Sequence, residues 1–299
     1  MADVTATEAP APEPGEAVAR TQPKRGFWRF VRRNPTLVFG AVTLALMAVI
    51  ALIAPWITGD PLLMQPLERL KAPSDAYPFG TDHLGRDVFA RTVHGARISL
   101  TVGLTVAALA VASGLVIGLL TGYFKWVEAV VMRFLDGLMA IPAILLAIAL
   151  VALTGASVFV VIIAIAIPEA PRVVRLVRAV VFSVRERPYV EAAIAGGAPT
   201  WKILFRHILP PCIPPLIVQA TYICASAILV ESALSFLGAG VPPELPTWGN
   251  MISGSRLFVS IAPWTVFWPG LALALVVLAV NLVGDGLRDR LDPRIARRM

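Results

Sequence analysis

Three stretches of this chain, Thr36 to Ile57, Ile98 to Leu120 and Thr265 to Val283, each run for 19 residues or more without one Asp, Glu, Lys or Arg. A helix needs about 20 mostly apolar residues to cross roughly 30 Å of hydrocarbon, so each predicts a membrane span. Two further stretches have the length but carry charge: Ala129 to Leu153 holds Arg133 and Asp136, and Pro215 to Leu237 holds Glu231. A sixth, fourth in chain order, begins as the short apolar run Ala156 to Ile167 and must continue through Pro168, Glu169 and Pro171 to cross. Six spans are predicted, making the chain an all-α polytopic membrane protein.

Composition agrees. Charged residues make up 15% and hydrophobic ones 57%, against about 25% charged in a soluble domain, which leaves too little polar material to cover a globule. A disordered chain, a disulfide scaffold and a nucleic-acid binder are excluded as readings of the whole chain. Cys212 and Cys224 lie in one apolar stretch; twelve helical residues hold them roughly 18 Å apart, beyond disulfide reach, and they read as packing residues. The net charge of +7 marks topology. With both termini inside, 20 of the 26 Lys and Arg fall in cytoplasmic segments and six in the external segments 58–97 and 238–264, as the positive-inside rule requires.

Residues 1–26, rich in Ala, Pro, Glu and Thr, lack the apolar run of a secretory signal and read as a disordered cytoplasmic tail. Residues 27–35 set Phe27, Trp28 and Phe30 among Arg29, Arg32 and Arg33, which suits an interfacial helix in the headgroup layer. Residues 36–97 then hold the first span and an external segment, and 98–299 the remaining spans.

The cytoplasmic loop 185–211 is the most informative segment. It is basic and broken by Pro188, Gly196, Gly197, Pro199 and Pro210. Pro188 opens one short helix, Glu191 sits in its first turn where a carboxylate suits the helix dipole, Gly196 and Gly197 allow a helix stop, and a second short helix follows Pro199. Trp201, Leu204, Phe205 and Ile208 recur there at helical spacing. Such an apolar face either grips a soluble partner or packs beneath the protein's own bundle.

Glu191, Ala192, Ala193, then Gly197, then Ile208, Leu209 and Pro210 resemble the EAA loop of ABC importer permeases. Three further blocks resemble the peptide and nickel branch of that family: FGTDHLGRDVFARTVHGARISLTVG from Phe79, ESALSFLGAGVPPELPTWGNMI from Glu231, and NLVGDGLRDRLDPR from Asn281. The resemblance implies the type I (MetI-like) permease fold in a bacterial inner membrane. It also implies a second homologous permease, two ATPase subunits holding ATP and Mg, and an external solute-binding protein. In it Glu191, Ala192, Ala193, Gly197, Trp201, Leu204, Ile208 and Pro210 form the loop that couples to the ATPase. The implied cargo is a di- or oligopeptide, with nickel or glutathione as alternatives in the same branch.

No G-x-x-x-x-G-K-[ST] occurs, so the backbone cradle for ATP phosphates is missing and hydrolysis must be borrowed; no cofactor and no catalytic residue is expected in this chain. Asp82, His83, Asp87 and His94 are metal-capable types, but they read better as a capping network in which Asp87 pairs with Arg86, Arg91 or Arg97, so no metal site is expected. Charges within spans cost about 2.5–3.5 kcal/mol each at a helix centre. Asp136 is three residues from Arg133, an expected local pair. Glu169, between two prolines, is expected to mark an irregularity where the fourth helix leaves the membrane. Glu231, with no basic neighbour in its span, is expected to hold a buried hydrogen bond or to line a polar path. Arg172, Arg175 and Arg178 form a stripe expected to meet headgroups or the ATPase. The rival from another class, an ion-coupled secondary transporter, calls for repeated halves with broken helices, and no internal repeat is visible.

Overall fold

A computed structural model describes residues 34–291. The chain divides into a first unit, Met1–Pro35, and a second, Thr36–Met299, which holds the architecture below. The expected tail 1–26 and almost all of the expected interfacial helix 27–35 lie outside the described residues.

Among the described residues there is no strand; one isolated bridge pairs Thr81 with Asp87. The helices are α1 (Pro35–Ile57), α2 (Val88–Tyr123), α3 (Lys125–Met139), α4 (Ala143–Thr154), α5 (Val158–Arg185), α6 (Pro188–Ala195), α7 (Thr200–Phe236), α8 (Trp248–Ser255) and α9 (Trp264–Leu291). By length and apolarity α1, α2, α7 and α9 are each able to cross a membrane, and α3 with α4 make a fifth only as a pair bent by 87°. Six is therefore more than apolar length establishes. α5 has 28 residues, enough to cross, but carries Glu169 and four arginines.

Several boundaries moved for local reasons. α2 starts ten residues before the predicted span because Asp87 caps it, its side chain accepting from the Phe89 N–H at 2.8 Å. The third span breaks at Pro142, whose ring cannot donate into a helical ladder. The second short helix of the loop does not stand alone: it is the first turn of α7. Pro210 and Pro211 offer no N–H there, and the turn widens to a π-helix at Leu204–Ile208, with the Leu209 N–H reaching back to Leu204.

The core is built on α2 against α5. Gly114, Gly118 and Gly122 on α2 face Val173, Val177 and Val181 on α5; a Cβ on Gly118 or Gly122 would sit 2.6 Å from the opposing valine Cβ. Small residues at four-residue spacing let two backbones approach closely, which is how helices associate where lipid removes the hydrophobic driving force. The three valines are fully buried. α7 packs on α2, α5 and α9, and α8 lies on α7 and α9.

Candidate functional site

The loop between α5 and α7 is held at both ends. Arg185, the last residue of α5, donates to the Tyr123 carbonyl, and Val190 of α6 and Ile203 of α7 are buried. α6 ends in a Schellman motif: the Ala198 N–H reaches the Ala193 carbonyl at 3.1 Å and the Gly197 N–H reaches Ile194 at 3.0 Å. Gly197 takes φ +74°, a conformation that a side chain disfavours, whereas Gly196 does not. Pro199 is extended and opens α7.

The loop residues expected to act together divide. Glu191, Ala192, Gly197, Trp201 and Pro210 are exposed, Ala193 and Leu204 are half-buried, and Ile208 is fully buried. The apolar face expected of the second helix is thus split: Ile208 packs beneath the bundle, while Trp201 and Phe205 stand 65% and 62% exposed. Tyr189 and Ile194, which sequence reasoning passed over, are also exposed. The surface offered by α6 and the first turns of α7 sets Glu191 beside exposed aromatic and aliphatic side chains, with Glu186, Arg187, Lys202 and Arg206 also exposed around it.

The charges expected at membrane depth pair differently from the local rule. Asp136 accepts from Arg175 at 2.6 Å, not from Arg133, because the packing of α3 on α5 brings an arginine of another helix onto it. Glu169 lies inside an unbroken α5, not at an irregular exit, and accepts two bonds from Arg172 at 3.1 and 3.2 Å. Arg178 donates to Glu128. Each arginine of the α5 stripe is thus bound to an acid of this chain, while Arg172 and Arg175 keep 44% and 45% side-chain exposure. Glu231 is fully buried. Its partners are hydroxyls: Ser235 donates at 2.8 Å and Ser232 at 3.4 Å, with Ser99 and Thr247 beside it.

In the segment between α1 and α2 the hub is Asp82, not Asp87. Asp82 accepts from the Leu84 and Arg86 N–H groups at 2.8 and 2.9 Å and from Arg86 Nε at 2.7 Å, with Arg91 Nε at 3.9 Å. Arg91, 1% exposed, donates to the Pro61 carbonyl. Asp87 serves as a cap, and burial holds its carboxyl above the usual carboxylate range. Burial likewise holds His83 below the usual imidazole value; its ring stacks on Phe258. His94 is bonded to Thr58 at 3.1 Å. These contacts stitch a fixed cap onto α2.

Comparison with known proteins bears on the whole chain. The family described as the binding-protein-dependent transport system inner membrane component matches residues 114–297, and the N-terminal transmembrane domain of oligopeptide transport permease C matches residues 22–73. A probable peptide ABC transporter permease protein of Sinorhizobium fredii is 58% identical over 270 residues, 90% of this chain and 93% of the relative. The dipeptide transport system permease protein DppC of Alkalihalophilus pseudofirmus is 42% identical over 95% of this chain and 94% of its own. The glutathione transport system permease protein GsiD of Pectobacterium atrosepticum is 40% identical over 91% of this chain and 92% of its own. A chain of the inward-facing MetNI methionine ABC transporter shares the fold, with a TM-score of 0.54 at 19% identity over 68% of this chain and 97% of that one. The mostly helical fold, the loop with its glycine stop and these relatives together make the chain a member of the binding-protein-dependent inner-membrane permease family of ABC importers.

Proposed function

We propose that this chain is one of two permease subunits of an ATP-driven importer that carries di- and oligopeptides delivered by an external solute-binding protein. The relatives named for peptides and dipeptides support peptide cargo over nickel, and the relative named for glutathione keeps that cargo as the nearest alternative. α5 serves as the sixth span, both termini lie in the cytoplasm, and ATP with Mg belongs to two separate hydrolytic subunits.

The observation that carries the reading is α6: a two-turn helix with Glu191 exposed, ended by a glycine stop and joined through one short elbow to α7. Such an element docks into a groove of an ATPase subunit, with Glu191 and the aromatic side chains around it as the grip. ATP closes the two hydrolytic subunits, α6 moves with them, and α7 tilts to open the path outward.

The test is peptide uptake by the complete complex in proteoliposomes. Glu191→Lys or Gly197→Asp abolishes uptake while the chain still inserts and binds its partner permease. Normal uptake by either variant counts against coupling through α6. Transport by the purified chain alone favours the ion-coupled carrier instead.

A further inference from the structure

α3 and α5 meet along a line of alternating charge. Glu128 takes Arg178, Asp136 takes Arg175 and Glu169 takes Arg172. From Arg178 to Glu169 that line climbs about 14 Å along α5. Three acids take three arginines, and α3 is left with Lys125 and Arg133 in surplus. Arg133 is exposed, and among the described residues it has no ion pair. It lines an open groove of about 390 Å³ together with Lys125, Glu128, Met132 and Asp136.

The other face of α3 is different: Trp126, Val130 and Phe134 recur every fourth residue and are exposed. That face suits hydrocarbon or an apolar neighbour, whereas the charged face does not, because ionisable groups at membrane depth turn to a protein interior or a water-filled cavity. The ladder itself is half-open, with Arg172, Arg175 and Asp136 at 44%, 45% and 58% side-chain exposure, so it needs water on its free side. Groups already paired hold a passing ion weakly. Of the two surplus cations, Arg133 has the planar fork that matches a carboxylate bidentately, whereas Lys125, at the first position of α3, offers a point charge.

We propose that the groove on α3 is part of the wetted wall of the import path, and that Arg133 there engages acidic side-chain carboxylates of the peptide in transit, over and above the terminal carboxylate that every peptide carries. The inference rests on the peptide-permease reading above.

Two measurements on the full complex in proteoliposomes test it. In the first, Arg133→Cys is exposed to a charged, membrane-impermeant thiol reagent through the nucleotide cycle. Labelling in at least one state is expected; protection in every state means that the partner permease covers the groove and overturns the proposal. In the second, uptake of Asp-Ala is compared with that of Lys-Ala, each saturating the binding protein, so that the ratio against wild type cancels the binding protein's own preference. Arg133→Glu shifts the ratio roughly tenfold toward Lys-Ala, as a reversed charge contact in a partly screened site requires. Arg133→Gln falls between, and Arg133→Lys restores most of the ratio. An equal loss for both peptides, or an unchanged ratio, overturns the proposal. A wild-type complex that imports neither peptide overturns the peptide reading and this one together, so the two failures are distinguishable.

Discussion

Trp248 and Thr92, 156 residues apart in the chain, are joined by one hydrogen bond: the buried indole N–H of Trp248 donates to the Thr92 carbonyl at 3.0 Å. The ring lies against Gly95, where an added Cβ would come within 3.2 Å. This side chain, fully buried, docks α8 onto α2. Trp248→Phe keeps most of the volume and loses the bond, an expected cost of about 1 kcal/mol. Trp248→Ala also opens a cavity and costs about 3–5 kcal/mol. Thermal unfolding in detergent ranks them; equal costs would assign the docking to the bond and not to the ring.

The glycine row of α2 predicts a rescue. Gly118→Ala drives a methyl into Val177 and is expected to cost about 1–3 kcal/mol by overpacking. Adding Val177→Gly removes the opposing Cβ together with its branches and recovers part of the loss, although Val177→Gly alone is destabilising. A double-mutant cycle on unfolding midpoints reads the coupling, and simple additivity would mean that the two residues do not meet as described.

Glu231 sits among hydroxyls, and among the described residues no cation is in contact with it. Glu231→Gln preserves acceptor and shape and is expected to change stability by less than about 1 kcal/mol. Glu231→Leu strands the Ser235 and Ser232 hydroxyls and costs about 1–3 kcal/mol. Thr247, beside Glu231, caps α8, so limited proteolysis of residues 238–247 should quicken with Leu and not with Gln. Faster cleavage with Gln would show that the carboxyl charge, not its hydrogen bonding, holds the segment.

The cap on α2 carries a pH dependence with a definite sign. Burial lowers His83 from 6.5, outweighing the nearby Asp82, while Arg86, Arg91 and Arg69 act in the same direction as burial. The unfolded segment therefore binds more protons than the folded one as pH falls below 6.5, and stability rises with pH across that window. The cap should open more readily at acidic pH, and His83→Phe, which keeps the stack on Phe258, should flatten the slope. Hydrogen exchange of residues 79–87 at several pH values measures it; an unchanged slope in the Phe variant assigns it to another group.

The helices were legible because bilayer length and the absence of charge write a span directly into sequence, as in Thr36 to Ile57. The loop was legible because the Glu191, Gly197 and Pro210 spacing combines a helix start, a left-handed stop and a ladder break. Pairing across helices was not. Asp136 has Arg133 within one helical turn, yet Arg175, 39 residues away, takes it, and only the packing of α3 on α5 decides between them. The choice of Asp82 over Asp87 as hub depends on the backbone reversal at Gly85, φ +75°, which turns the Leu84 and Arg86 N–H groups onto Asp82. The break at Pro142 had a visible signal in the proline itself, but a long apolar run masked it.

The 37 residues of Thr200–Phe236 form one rod about 55 Å long, from the elbow after α6 to the hydroxyl nest around Glu231. A rigid bar of that length behaves as a crank: a tilt of ~5° about one end sweeps the other through roughly 5 Å. The π turn and the proline pair at Pro214 and Pro215 are its only compliant joints among the described residues. On the coupling proposed above, stiffening or loosening them sets how much of a push at Trp201 arrives at the Glu231 nest.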